Sequence, residues 1–235
     1  MTRSFDLIPV LDLKAGQVVH ARAGRRDQYR PIQTSLTPSS APHDILEALL
    51  ALGEFARVYV ADLDAITGVG NHDALLAELA RRFAIEFWVD RGIGTLDEAS
   101  ALGAGLTAII GSESLECLDD LRAIHSALGP DGYVLSLDYR GDALVGPAGI
   151  DVSPDLWPNR VIAMTLARVG SGVGPDYDRL LRIQSLIGAR RLYAAGGVRG
   201  LADLTGLAQD GVAGALVATA LHDGSLSAAE IATLA

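Results

Sequence analysis

LDYRGDALV at residues 137–145 repeats the pattern of LDLKAGQVV at residues 11–19. Each closes an apolar run with an aspartate, then a cation, a small-residue turn and a second apolar stretch. An acid recurring at the same place after two apolar runs suggests two copies of one structural unit.

The repetition extends outward from this pair. VYVADLDAITGVGNHDALL (58–76) runs beside VIAMTLARVGSGVGPDYDRLL (161–181), FWVDRGIGTLDEA (87–99) beside LYAAGGVRGLADL (192–204), and GLTAIIGSESL (105–115) beside GVAGALVATAL (211–221). These correspondences follow in one order, the signature of an internal duplication. Short apolar runs predict strands at 6–11, 57–61, 85–89, 106–110, 133–137, 160–164, 190–194 and 213–217. Their two-sided apolar character and Gly, Asp or Pro borders suit a buried parallel sheet. Helical patterns lie between most of them, at 43–55, 72–83, 95–102, 115–128, 176–187 and 201–209. The expected fold is an α/β (β/α)8 TIM barrel of two similar half-barrels. A doubly wound open sheet is the rival, but PVLDLKAG has no GxGxxG after the first strand. The 139–159 connection contains Pro147, Pro154 and Pro158, so the fifth outer helix is expected to be short or missing.

Nothing resembling a linker divides the 235 residues, and a single domain over 1–235 is expected. The chain is 49% hydrophobic and 5% aromatic, with 19 basic and 29 acidic residues and a net charge of −10; Lys14 is the only lysine. Neither nucleic acid nor an anionic membrane is an expected partner. One cysteine, Cys117, cannot form an internal disulfide, and no long apolar run opens the chain. A cytoplasmic setting follows. Cys117 stands among acids in SLECLDDL and is read as structural. No His/Cys/carboxylate spacing points to a metal, and no cofactor is expected. A monomer or a small homo-oligomer fits a barrel that buries its own core.

Active sites of such barrels form at the C-terminal strand ends. Asp12 and Asp138 end the first and fifth strands, on opposite sides of one mouth. Either alone could cap a loop or pair with Lys14 or Arg140; together they suit acid–base chemistry, one donor and one acceptor. AAGGVRG (194–200) lets backbone approach an anion, and VATALHDG (217–224) opens a short helix with free N–H groups. DRGIGT (90–95) and IGSES (110–114) are a weaker copy. A phosphorylated small molecule is the expected partner.

These residues resemble the histidine-biosynthesis barrel family, comprising the phosphoribosylformimino-aminoimidazole carboxamide ribotide isomerase and its cyclase sister. The likeness covers the length of the chain through IPVLDLKAGQVVHARAG, VYVADLDAITG, LSLDYRGD, AAGGVRGLADL and GALVATALHDG. It implies Asp12 as general base at the sugar C2, Asp138 as general acid at the ring oxygen, and Thr165 as a helper. It implies phosphate loops at Gly92, Gly111 and Ser112, and at Gly196, Gly197, Ala218 and Thr219. The implied activity is an Amadori-type aldose–ketose isomerisation of a phosphorylated sugar-like substrate.

Departures are specific. GQVVHARAG puts His20 where the family has Arg and Ala23 where it has Gln. VDRGIG puts Asp90 and Arg91 into a phosphate loop that is otherwise Gly-Gly-Gly-Ile-Arg. VGSGVGPD replaces Asp-Gly-Thr. A divergent paralogue acting on another phosphorylated metabolite, as in cofactor biosynthesis, is the alternative; a non-catalytic phosphate-metabolite-binding barrel is a third reading. His20 is a candidate substrate contact, His43 and His72 are read as helix-start neighbours, and Asp62 as lining the mouth. RAGRRDQYRPI (22–32) is a cationic cluster that could close over an anion.

Overall fold

The computed structural model describes residues 5–21, 25 and 28–234. The barrel strands are β1 (Asp6–Lys14), β3 (Arg57–Asp62), β4 (Glu86–Asp90), β5 (Leu106–Gly111), β6 (Tyr133–Arg140), β8 (Arg160–Thr165), β9 (Arg191–Ala195) and β10 (Gly214–Val217). All pair in parallel, and β10 returns to β1 with Asp6 opposite Gly214, so the sheet has no open edge. Two short strands lengthen the ring at its mouth. β2 (Gln17–Val19) folds back antiparallel on β1 and β7 (Ala143–Leu144) on β6, so each aspartate-ending strand continues into a hairpin.

Side-chain alternation builds two layers. Ile8, Tyr59, Trp88, Ile109, Val134, Ile162, Tyr193 and Leu216 form the interior cluster. Their neighbours Val58, Val60, Phe87, Val89, Leu135 and Leu192 belong to the larger cluster beneath the helices. That is the period of two expected when strands turn one face to the lumen and one to the helices. Trp88 and Tyr193 meet edge to face, ring centroids 5.0 Å apart, and fill the centre.

The outer ring consists of α1 (Pro42–Leu50), α2 (Leu63–Ile66), α3 (Asp73–Arg82), α4 (Leu96–Ser100), α5 (Leu118–Leu128), α6 (Tyr177–Ile187), α7 (Leu201–Gln209), α8 (Thr219–His222) and α9 (Ala228–Ile231). No α-helix separates β6 from β8. Two 3-10 turns, Ile150–Val152 and Pro154–Leu156, stand there, as the three prolines led one to expect. Trp157 plugs the space: it is fully buried and its Nε1 donates to Ile150 O at 2.7 Å. α1 ends at Leu50, short of the expected 55, with Gly53 packed against Ile231 of α9. Exposed Cys117 caps α5, its Sγ donating to Asp120 at 3.3 Å. Among the described residues, no helix is long and apolar enough to cross a membrane.

At the N-terminal strand ends, charges tie the ring shut. Asp6 Oδ2 accepts from Arg57, from Arg191 Nη2 at 2.8 Å and from Tyr193 Oη at 3.1 Å. Glu86 accepts from Arg57 at 3.1 Å and from Arg160 at 2.6 Å, and both guanidiniums lie over the Trp88 ring. This end is structural, leaving the other for chemistry.

Candidate active site

At the C-terminal strand ends opens a cavity of about 280 Å³. β1 contributes Asp12, β3 Tyr59, β4 Asp90 and β6 Asp138, with Glu113 following β5. Gly196, Gly197, Ala218 and Thr219 form the wall after β9 and β10. Asp12 and Asp138 thus share one cavity, four barrel strands apart, which is across the ring. Tyr29 of the first long loop also lines it, pinned where Pro31 bridges Val19 and His20 N donates to Arg30 O.

Asp138 is enclosed by its own strand and the next. Ser136, two positions earlier and therefore on the same inward face, donates from Oγ to Oδ1 at 2.7 Å. The Asp138 amide donates to Ser112 Oγ at 2.9 Å, and the Ser112 hydroxyl donates onward to Val145 O at 2.7 Å. Burial pushes the Asp138 carboxyl up to about 7; the Ser136 bond opposes this, while the Asp90 and Glu113 charges add to it. Asp12, by contrast, is half-buried. A carboxyl that holds its proton near neutrality facing a more solvated one is a donor–acceptor arrangement. Burial, then the Asp90, Asp138 and Asp12 charges, hold the Tyr59 phenol well above its usual range, and its Oη donates to Asp90 Oδ2 at 2.9 Å.

Other expected site residues lie elsewhere. Thr165 is buried beside the cavity, between the lining residues Met164 and Leu166, and its Oγ1 donates to Asp176 at 3.2 Å. Gly92, Gly111 and Ser112 are not among the lining residues. His20 is exposed past the hairpin; burial, with the nearby His20 second, pushes His222 down to about 4. Ala23 and most of the 22–27 cluster lie outside the described residues.

Asp62 does not line the mouth: it is fully buried and bonded to the next loop. Its Oδ2 accepts the His72 amide at 2.8 Å and its Oδ1 faces His72 Nδ1 at 2.7 Å. Gly16 N donates to His72 Nε2 at 2.9 Å, so the ring carries its proton on Nδ1. This holds the turn beyond Asp12. Arg91 does not offset Asp90 within the cavity, since it pairs with Asp73 on α3. Among the described residues, no group of three or more His, Cys, Asp or Glu is arranged for a metal.

Three residues escaped the sequence reading: Tyr59, Tyr29 and Ser136. Alternation in YVLSLDYR and RVYVAD would have turned Ser136 and Tyr59 inward; nothing local marks Tyr29, which a distant loop carries in.

Comparison with known proteins gives a match to the model of a family described as histidine biosynthesis protein, over residues 6–227. An uncharacterized protein of Methanocaldococcus jannaschii is 27% identical over 230 residues, covering 96% of each chain. A protein of Cutibacterium acnes named 1-(5-phosphoribosyl)-5-((5-phosphoribosylamino)methylideneamino) imidazole-4-carboxamide isomerase is 30% identical over 244 residues, 97% of this chain and 91% of its own. Phosphoribosyl isomerase A of Streptomyces coelicolor is 29% identical over 236 residues, 92% of each.

Proposed function

Since the chain belongs to the histidine biosynthesis protein family, we propose that it is an aldose–ketose isomerase acting on a phosphorylated sugar-like substrate. The observation that carries this reading is the buried carboxyl of Asp138, held up to about 7, in the same cavity as Asp12. Relatives named as isomerases support it.

In an Amadori-type reaction on an aminoaldose, protonated Asp138 gives its proton to the ring oxygen as the C1–O bond breaks, leaving an iminium. Asp12 then takes the C2 proton, and the enaminol tautomerises to the ketose. Backbone amides at Gly196, Gly197, Ala218 and Thr219 hold the phosphate. Gly196 and Gly197 have φ of 103° and 88°, and a Cβ would stand 2.7 Å from Thr165 O and 2.2 Å from Gly174 O, so this wall admits no side chain. Thr165, engaged with Asp176, steadies the β8 loop.

The test is conversion of a 5-phosphorylated N-glycosylamine to its ketose by the purified protein. Asp12→Asn and Asp138→Asn should each lose about 10²–10⁴-fold in kcat, the range for a general acid or base. Absence of turnover by the unmodified protein sinks the reading. A second reading, isomerisation of a different phosphorylated metabolite, is favoured by Asp90, which ends β4 in the cavity wall where the family resemblance implies a phosphate loop.

A further inference from the structure

The two ends of the cavity differ in what they can receive. At the β4–β5 end, four backbone amides are bound to the chain's own carboxyl groups. Gly92 N donates to Asp90 Oδ1 at 3.2 Å. Gly94 N and Thr95 N both donate to Glu98 Oε2, at 2.9 and 3.0 Å. Glu113 N turns to Asp138 Oδ2 at 3.4 Å. The Ser112 hydroxyl is given to Val145 O. In place of donors, this end presents the acceptor oxygens of Asp90 and Glu113 in the wall.

The β8–β10 end differs in its glycine-lined wall, although there too one amide is taken by a carboxylate, Arg199 N donating to Asp203 Oδ2 at 2.9 Å. Gly170, Gly172, Gly196, Gly197, Ala218 and Thr219 expose backbone there. One guanidinium lines the cavity among them, that of Arg199, which clasps Asp203, and Asp223 is a lining residue there too. Phosphate favours converging amides and cations, and a carboxylate within hydrogen-bond range repels it.

We propose that the substrate carries a phosphate at one end only, seated on Gly196–Gly197 and Ala218–Thr219, and turns an uncharged or cationic hydrogen-bond donor, a hydroxyl or an amine, toward Asp90 and Glu113. Asp90, oriented by Tyr59, is then a specificity-determining residue. This deepens the isomerase reading and rests on it for the sugar-like character of the substrate. It also separates this chain from the Cutibacterium acnes relative, whose name contains two phosphoribosyl groups.

The experiment is calorimetric titration of the whole protein with a pentose 5-phosphate and with the 1,5-bisphosphate of the same pentose, repeated on Asp90→Gly and Asp90→Asn. The expected result is one monophosphate per chain and a bisphosphate that binds no tighter than the monophosphate. Both variants should raise the bisphosphate-to-monophosphate affinity ratio about tenfold, the scale of one partly screened like-charge contact. A bisphosphate bound at least tenfold tighter by the unmodified protein overturns the proposal, as does a ratio unmoved in both variants, or no phosphate binding at all. The outcome is independent of turnover: one-phosphate binding without isomerisation refutes the reaction and upholds the charge count, and isomerisation with two-phosphate binding does the reverse.

Discussion

Ser136 donates to Asp138 Oδ1 at 2.7 Å from two positions earlier on the same strand, holding the carboxyl in place and opposing the upward pull of burial on its proton affinity. Removing that donor in Ser136→Ala should raise the Asp138 value further above about 7. In the proposed reaction Asp138 must be protonated to act, so kcat/KM should fall as pH rises through that value. The alkaline limb should therefore move up by about half to one pH unit, as expected for a lost bond to a charged acceptor. Ser136→Thr should restore it. A pH–rate profile checks both, and an unmoved limb in the alanine variant contradicts the role given to Ser136.

The same carboxyl weakens the fold at high pH. Its value rises from 3.8 to about 7 on folding, so across that window the folded chain keeps a proton that the unfolded chain has released. Stability is lost as pH climbs through the window, up to about 4 kcal/mol for a fully buried group at 1.36 kcal/mol per unit. Asp138→Asn removes this loss. At pH 8 it should be more stable than the parent by about 2–4 kcal/mol, and near pH 4 the two should converge. Urea unfolding at both pH values measures it; an asparagine variant less stable at pH 8 contradicts the ionisation assigned to Asp138.

Much of the barrel was legible because its strands are buried on both faces, so each of the eight reads as an apolar run bounded by turn residues. Asp12 and Asp138 stood out as charges where alternation and burial call for core. The missing fifth helix was legible because Pro147, Pro154 and Pro158 deny it backbone donors; the Trp157 plug was not, since it depends on space left between neighbours. Hidden too was how hydroxyls and amides are spent. Ser112 in IGSES looks like any phosphate-loop serine, yet its oxygen serves the Asp138 amide and Val145 O. Likewise DRGIGT reads as an anion loop until the Glu98 side chain of α4 returns to its amides. Asp62 read as mouth-lining because strand ends usually are, and only the turn of the chain at His72 draws it inside.

At the opposite end of the barrel, Asp6 should carry stability and no chemistry. Its carboxylate serves Arg57, Arg191 and Tyr193, joining β1 to β3 and β9 where the ring closes. Asp6→Ala leaves two partly buried guanidiniums without that partner and should cost about 2–4 kcal/mol, below the value for a fully buried pair because Arg191 is partly solvated. kcat and KM at 25 °C should stay within about twofold of the parent, as expected for a site remote from the mouth. A chemical denaturation curve alongside steady-state kinetics checks this; an intact midpoint would remove Asp6 from the closure of the barrel.

His72 supports the hairpin beyond Asp12 from outside the cavity. Its ring receives Gly16 N and faces Asp62, while Ala15 N donates to Asp64 Oδ2 at 2.9 Å. Together these bonds hold a turn in which Ala15 takes φ of 49°, a left-handed conformation that a residue with a Cβ adopts only under constraint. That turn follows Asp12 by three positions and closes its hairpin. His72→Ala should therefore cost about 2 kcal/mol, from a buried carboxylate left short of a donor and a released turn. In the proposed reaction Asp12 meets the reacting carbon and the phosphate sits on the β9–β10 wall, so kcat should fall while KM for the phosphorylated substrate holds. His72→Gln, which can donate to Asp62, should recover part of the loss in kcat. Equal falls in kcat and in phosphate affinity would mean that the residue supports the barrel as a whole and not the Asp12 hairpin.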